Sequence, residues 1–252
     1  NCNLHLAEGA TVSFTDDPAD YPPVHTTCEG IECINYSPLL YVYGCTNVAI
    51  TGKGTLAPKM DFWRTWFGRP ESHIAATGKL YHWGATNAVM SARDLTKIPG
   101  SHMRPHLLQV NRSANVLLDG FRTKESPFWM IHLYHSEGCI VRNLDTYAHG
   151  HNNDGIDVDM TRNVLIENCR FEGMMDDAIN VHSTCLAITN VSRRPLKCRY
   201  MHHQAIGFEV FKPGETLRFM NGERLENGKF IIEIRIEHGV GVALERLDPF
   251  FF

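Results

Sequence analysis

The chain has 252 residues, 43% hydrophobic and 21% charged, with a formal net charge of −4. That length allows one large or two modest domains with a substantial core. The mild acidic balance argues against a nucleic-acid binder, which shows a basic stripe, and no apolar run approaches the roughly 18 residues that span a bilayer.

The chain opens at Asn1, and Leu4 to Leu6 already reads as a strand before a turn at Glu8-Gly9. A processed or truncated start is therefore expected. From Leu40 a grammar repeats: an apolar-x-apolar pair, a short turn, then a second short strand. The pairs are Leu40/Val42, Leu108/Val110, Ile131/Leu133, Ile156/Val158 and Ile179/Val181. From Val110 their second members follow at intervals of 23, 25 and 23 residues. The second strands read NVAITG (47–52), NVLLDG (115–120), GCIVRN (138–143) and NVLIEN (163–168), with CLAITN (185–190) one residue out of register. Period-two alternation excludes a helical repeat, and a period of roughly 20–50 residues marks a solenoid. Three short strands per coil, with Asn and Gly at corners that accept left-handed backbone, fit a parallel β-helix. The fold class is accordingly all-β, a right-handed parallel β-helix. Its inward column holds Val110, Leu133, Val158 and Val181.

The grammar lapses in an excursion over 57–104, which holds Trp63, Trp66, Trp83, Arg64, Arg69, His73 and His82, with a short helix expected near Ala85 to Asp94. After Thr189 strands and the turn signals Pro213-Gly214 and Asn221-Gly222 form a meander. A boundary near residue 190 thus separates a coil region, 1–189, from an antiparallel β-subdomain, 190–252. The chain closes on an apolar tail, so truncation is expected there too. Eight cysteines are present without CxxC or zinc-finger spacing. Cys139 and Cys169 fall at inward positions and are expected to be buried free thiols.

The segments His149–Met160, HGHNNDGIDVDM, and Gly173–Ser183, GMMDDAINVHS, carry the chemistry. Asp154 lies two residues before Ile156, and Asp177 two before Ile179, in the same slot of adjacent coils. Neighbouring strands lie roughly 4.8 Å apart, so Asp154 should stack on the Asp176-Asp177 pair. Crowded carboxyls cannot all ionise, and one protonated acid beside an ionised base is what glycoside hydrolysis requires. Asp-Gly is also a common corner, and three carboxylates also suit calcium. Outward parity adds Gln109, His132, Asp157 and Asn180 as a cleft floor. Asp154 needs a kink to face the same way, which Gly155 could supply. His151 and His182 flank the site as rim residues, as does His149. Trp129 has the inward parity of a core residue.

At these residues the chain resembles glycoside hydrolase family 28, the polygalacturonases. The resemblance spans roughly residues 3 to 183. It includes NLHLAEGATV, NYSPLLYVYGCTNVAITGKGTL, RPHLLQVNRSANVLLDG, SPFWMIHLYHSEGCIVRNL and NNDGIDVDMTRNVLIENCRFEGMMDDAI. It implies inverting hydrolysis of a pectin-type galacturonan, with Asp154 and Asp177 activating water and Asp176 as general acid. It implies no metal or organic cofactor, a polysaccharide or oligosaccharide as the partner, no nucleic acid or membrane, a monomer, and an extracellular or periplasmic location. The Gly-His-Gly and Arg-x-Lys motifs of that family have no counterpart in RYMHHQ (199–204). DDAINVHS and YMHHQAIGFEVFKPGETLRF resemble the family 110 α-galactosidases instead, which cleave neutral galactosides and carry β-barrel insertions. A non-catalytic carbohydrate-binding β-helix is the third alternative.

Overall fold

A computed structural model describes residues 3–182, 186–191, 196–201, 216–218, 233–235 and 243–245. Its main body is a parallel β-helix whose three faces are each a five-stranded sheet. The first face stacks Leu4–Leu6, Thr46–Gly52, Ala114–Asp119, Glu137–Arg142 and Arg162–Glu167. The second stacks Thr11–Phe14, Thr55–Pro58, Arg122–Lys124, Asp145–Tyr147 and Arg170–Glu172. The third, which carries the site, stacks Leu40–Tyr43, Leu108–Asn111, Ile131–Tyr134, Ile156–Asp159 and Ile179–His182.

The register is the one the repeat predicts. Val110 pairs with Leu133, Leu133 with Val158, and Val158 with Val181. The corners follow from backbone chemistry. Asn47, Asn115, Gly138 and Asn163 all take φ between 54° and 65°, and Gly52, Gly120, Asn143 and Asn168 are also left-handed. Gly and Asn enter that region at least cost. The Asn115 amide also donates to Asn47 Oδ1 at 3.2 Å, tying two corners along the axis. A third left-handed corner is filled by Gly44, Arg112, His135 and Met160. Beside it a ladder of hydroxyls, Ser113, Ser136 and Thr161, accepts backbone N–H groups from the preceding coil at 3.1 Å each. The interior holds Val48, Ile50, Leu118, Val141, Leu133 and Ile156 among others, each burial contributing about 1.5–3 kcal/mol. Cys139 and Cys169 are free thiols, the first buried and the second half-buried against this core.

Two strands, Pro23–Cys28 and Ile31–Tyr36, form an antiparallel hairpin across a two-residue turn at Glu29-Gly30, both with positive φ. Primed turns of this kind match strand twist. The hairpin lies over the outer side of the third face. Thr26 Oγ1 donates to Gln109 Oε1 at 2.7 Å, and Tyr134 and Arg112 both bond Glu32. The excursion packs behind it. Its helix α1 is Glu71–Ala85, not the expected segment near Ala85 to Asp94. The spacing of Ala76, Leu80 and Trp83 puts one apolar stripe against Ile31, Cys33, Leu95 and Met103. Thr86 caps the helix and Asn87 turns left-handed, so the chain cannot continue it.

After Ile179–His182 the pairing changes. Leu186–Val191 pairs antiparallel with Leu196–Tyr200 rather than stacking on Arg162–Glu167. Leu196–Tyr200 also pairs with Ala243–Glu245, in parallel, and Thr216–Arg218 pairs antiparallel with Glu233–Arg235. The turns at Pro213-Gly214 and Asn221-Gly222 lie outside the described residues. No described helix is long and apolar enough to cross a membrane.

Candidate active site

The site forms where the ladder of the third face runs on past its strands. Met130 N donates to Asp154 O at 2.9 Å, and Gly155 N donates to Asp177 O at 2.9 Å. Asp154 and Asp177 are thus held in matched slots of adjacent coils. Further hydrogen bonds fix the approach to Asp154. Asn152 is left-handed, and the buried Asn153 amide donates to Ser126 O and Phe128 O of the coil before. On the other side, Gly173 takes φ +76° and passes Ala148 O so closely that a Cβ would stand 2.4 Å from it.

One carboxylate oxygen from each of Asp154, Asp176 and Asp177 lies within 4.8 Å of the others. Asp154 is buried at 4% exposure, with Oδ1 lacking a hydrogen-bond partner; Asp176 and Asp177 are exposed. Burial, reinforced by the charges of Asp176 and Asp177, pushes Asp154 up to about 7. A carboxyl in that state holds a proton near neutrality, beside two carboxylates open to solvent. The same three oxygens are also spaced to hold a divalent cation.

The expected kink exists, but Gly155 is not its cause. Leu107 and Leu108, and Met130 and Ile131, are consecutive buried residues at the same place in earlier coils. Both of those coils therefore bend before their third-face strand, with no glycine at that place. Gly155 answers a packing need, because a Cβ there would stand 2.4 Å from Ala178 O and 2.6 Å from the Phe171 ring. The same bend removes Trp129 from the core. Met130 takes the interior place, and Trp129 is partly exposed in the slot before Asp154, against His106, Phe128 and His132.

The expected cleft floor divides. Gln109 and His132 are fully buried beneath the hairpin, and this corrects their reading as cleft residues. Gln109 Nε2 lies 3.0 Å from His132 Nδ1, and burial lowers His132 to about 3, leaving a neutral imidazole. Asp157 is also buried, and burial with the charges of Asp154 and Asp159 pushes its carboxyl upward. Asn180, its ladder partner, is half-buried and borders the acids. His151 is half-buried, three residues before Asp154, and accepts from Arg69 Nε at 3.1 Å. His149 is exposed, and the His182 side chain lies outside the described residues.

Sequence reasoning had no site role for three charged residues. Glu29 at the hairpin tip adds to the field on Asp154 and accepts from Tyr81 Oη. Arg104 is buried, donates to Pro127 O and His151 O at 2.7 Å each, and lies against Phe67 and Phe128. Arg69 reaches across from the excursion to His151 and Asn152. The two-residue Glu29-Gly30 hairpin signal between alternating runs was legible; the arginines had no sequence signal.

The fold and the site together make the chain a parallel β-helix in which three carboxyl groups converge from adjacent coils. The model for glycosyl hydrolases family 28 matches residues 73–208, and the chain belongs to that family. A second model, GLAA-B beta-barrel domain II, matches residues 195–231. The chain is similar to a hyperthermoactive exopolygalacturonase from Thermotoga maritima, with TM-score 0.65 and 39% identity over 72% of this chain and 42% of that one. It is 52% identical over 93 residues to alpha-1,3-galactosidase B of Akkermansia muciniphila, covering 36% of this chain and 12% of that protein. It is 26% identical over 199 residues to alpha-1,3-galactosidase B of Parabacteroides distasonis, covering 64% and 32%. The chain spans less than half the length of each of these relatives.

Proposed function

We propose that the protein hydrolyses O-glycosidic bonds of a pectin-type galacturonan, with Asp154, Asp176 and Asp177 as its catalytic residues. The observation that supports this is the convergence of three carboxylates within 4.8 Å, one buried and proton-holding, two exposed. In the open site the proton resides on Asp154. A sugar seated over Asp176 and Asp177 strips their water, and the proton passes from Asp154 to Asp176, which gives it to the leaving oxygen as the bond from the anomeric carbon breaks; Asp154 and Asp177 are then both ionised. A water held between Asp154 and Asp177 gives its proton to the ionised Asp177 and adds its oxygen to the anomeric carbon. Asn180, beside the acids, and His151 on the rim are the proposed sugar contacts. Such polymers lie outside the cell, so the site of action is proposed to be extracellular or periplasmic.

A second reading, an α-galactosidase acting on neutral galactosides, is favoured by the alpha-1,3-galactosidase relatives and by the barrel model at 195–231. Reducing-sugar release from polygalacturonate and from a panel of α-galactosides, measured in EDTA, separates the readings. Release from polygalacturonate supports the first, and release from galactosides alone supports the second. Asp176→Asn should lower turnover about a thousandfold or more while leaving circular dichroism unchanged. Loss of all turnover in EDTA with recovery on adding calcium would replace proton chemistry by a metal site. Wild-type turnover in the asparagine variant would remove Asp176 as the general acid, and binding without release from any substrate would leave only a carbohydrate-binding role.

A further inference from the structure

Among the described residues Arg69 forms no ion pair with an acid. Arg69 is exposed, and its bonds are to neutral acceptors: His151 Nε2 at 3.1 Å through Nε, and Asn152 Oδ1 at 3.5 Å through one terminal nitrogen. The other terminal nitrogen of its guanidinium has no partner among the described residues. Arg104 beneath it is occupied by the carbonyls of Pro127 and His151. Two guanidinium groups therefore converge on residues 151–152, two to three positions before Asp154. Glu29 lines one cavity with Arg104 and Asn152, acts on Arg104 and accepts from Tyr81 Oη. The field is felt at His151, where burial, Arg104, Arg69 and His73 oppose protonation and Asp176 favours it. Arg69 and Asp176 thus act on the same imidazole with opposite sign. Neither His151 nor Asn152 can neutralise a guanidinium, so the charge is open to a ligand.

We propose that Arg69, held in place by His151 and Asn152, is the specificity-determining cation that receives the carboxylate of a uronic-acid unit seated over the aspartates. The cation is needed because an anionic sugar approaching three aspartates is repelled unless a positive group compensates. A guanidinium fixed at one end by neutral acceptors can offer its remaining N–H donors to a carboxylate. Arg104 is too deeply engaged to do so and serves as the support of the His151 loop. This rests on the hydrolase reading and specifies its substrate as an acidic galactan unit.

The test compares Arg69→Gln with wild type on digalacturonate, on its methyl ester, and on a nitrophenyl α-galactoside. The ester keeps the shape of the acid and removes its charge. The expected result is a loss of about 10- to 100-fold in kcat/KM on the free acid, with the ester and the galactoside changed less than about threefold. An equal loss on all three substrates would reduce Arg69 to a strut for residues 151–152 and overturn the proposal, as would no loss on the acid. Calorimetry of digalacturonate with Asp176→Asn, with and without Arg69→Gln, reads the same point without turnover. Binding that weakens when Arg69 is replaced supports the carboxylate site even where no hydrolysis is seen. Binding that is absent, or indifferent to Arg69, overturns it.

Discussion

Replacing Asp154 by asparagine should move stability and activity in opposite directions. The carboxyl is raised from its ordinary 3.8 to about 7, first by burial and then by Asp176 and Asp177. A folded-state pKa above the unfolded value means that the folded protein holds the proton more tightly between about pH 4 and pH 7. The carboxyl therefore costs nothing below about pH 4, and its destabilisation grows as pH rises to about 7 and is complete above that. A gap of roughly three pH units at 1.36 kcal/mol each sets a ceiling of about 4 kcal/mol. Solvent around Asp176 and Asp177 and sharing of the proton with Asp157 reduce the realised cost to about 1–2 kcal/mol. Asp154→Asn should thus be about 1–2 kcal/mol more stable than wild type at pH 8 and nearly equal at pH 4, while turnover falls about a thousandfold. Urea denaturation at pH 4, 6 and 8 measures the first effect and sugar release the second. An asparagine variant that is less stable at pH 8, or whose advantage does not depend on pH, would refute the electrostatic argument.

Gly155→Ala should cost about 2–3 kcal/mol, read as a fall in thermal midpoint, because the new methyl meets Ala178 O at 2.4 Å and the Phe171 ring at 2.6 Å. Unchanged stability would show that adjacent coils separate easily. Asn115→Ala should cost about 1–2 kcal/mol, through its φ of 54° and its bond to Asn47, whereas Asn115→Gly should recover most of that loss. Equal losses in the two would assign the effect to the side-chain bond rather than to the backbone.

The coil was legible because its determinants are local and repeated. An apolar pair, a strand and a left-handed Asn or Gly recur at one interval, and the ladder Val110, Leu133, Val158 and Val181 follows from counting. The acids were legible for the same reason, since the register that pairs Ile156 with Ile179 also aligns Asp154 with Asp177. Period-two parity failed where the backbone bends. Extended to Trp129, it gave an inward residue, yet the bend before Ile131 hands the interior to Met130 and leaves the indole half-exposed. Parity also gave Gln109 and His132 an outward direction correctly but could not show what covers them. The hairpin 23–36 comes from a distant part of the chain, and only the fold lays Thr26 and Thr27 across that column. Arg69 was unreadable as a site residue because it approaches from the irregular excursion.

The ladder also explains why crowding appears as a raised pKa rather than as movement. Repelling carboxylates on a loop would swing apart and relax. Here Gly155 N on Asp177 O and Met130 N on Asp154 O fix the two backbones one strand spacing apart, roughly 4.8 Å. Only the side chains can adjust, and the buried Asp154 has least room to do so. The field must then be met by a proton taken up at Asp154, or by positive charge from outside the coil. The excursion supplies the second through Arg69 and Arg104 around His151. An acid cluster and a guanidinium that both act on His151 give the site a direction. It orients a sugar that carries its own charge, and the regular scaffold provides only half of that field.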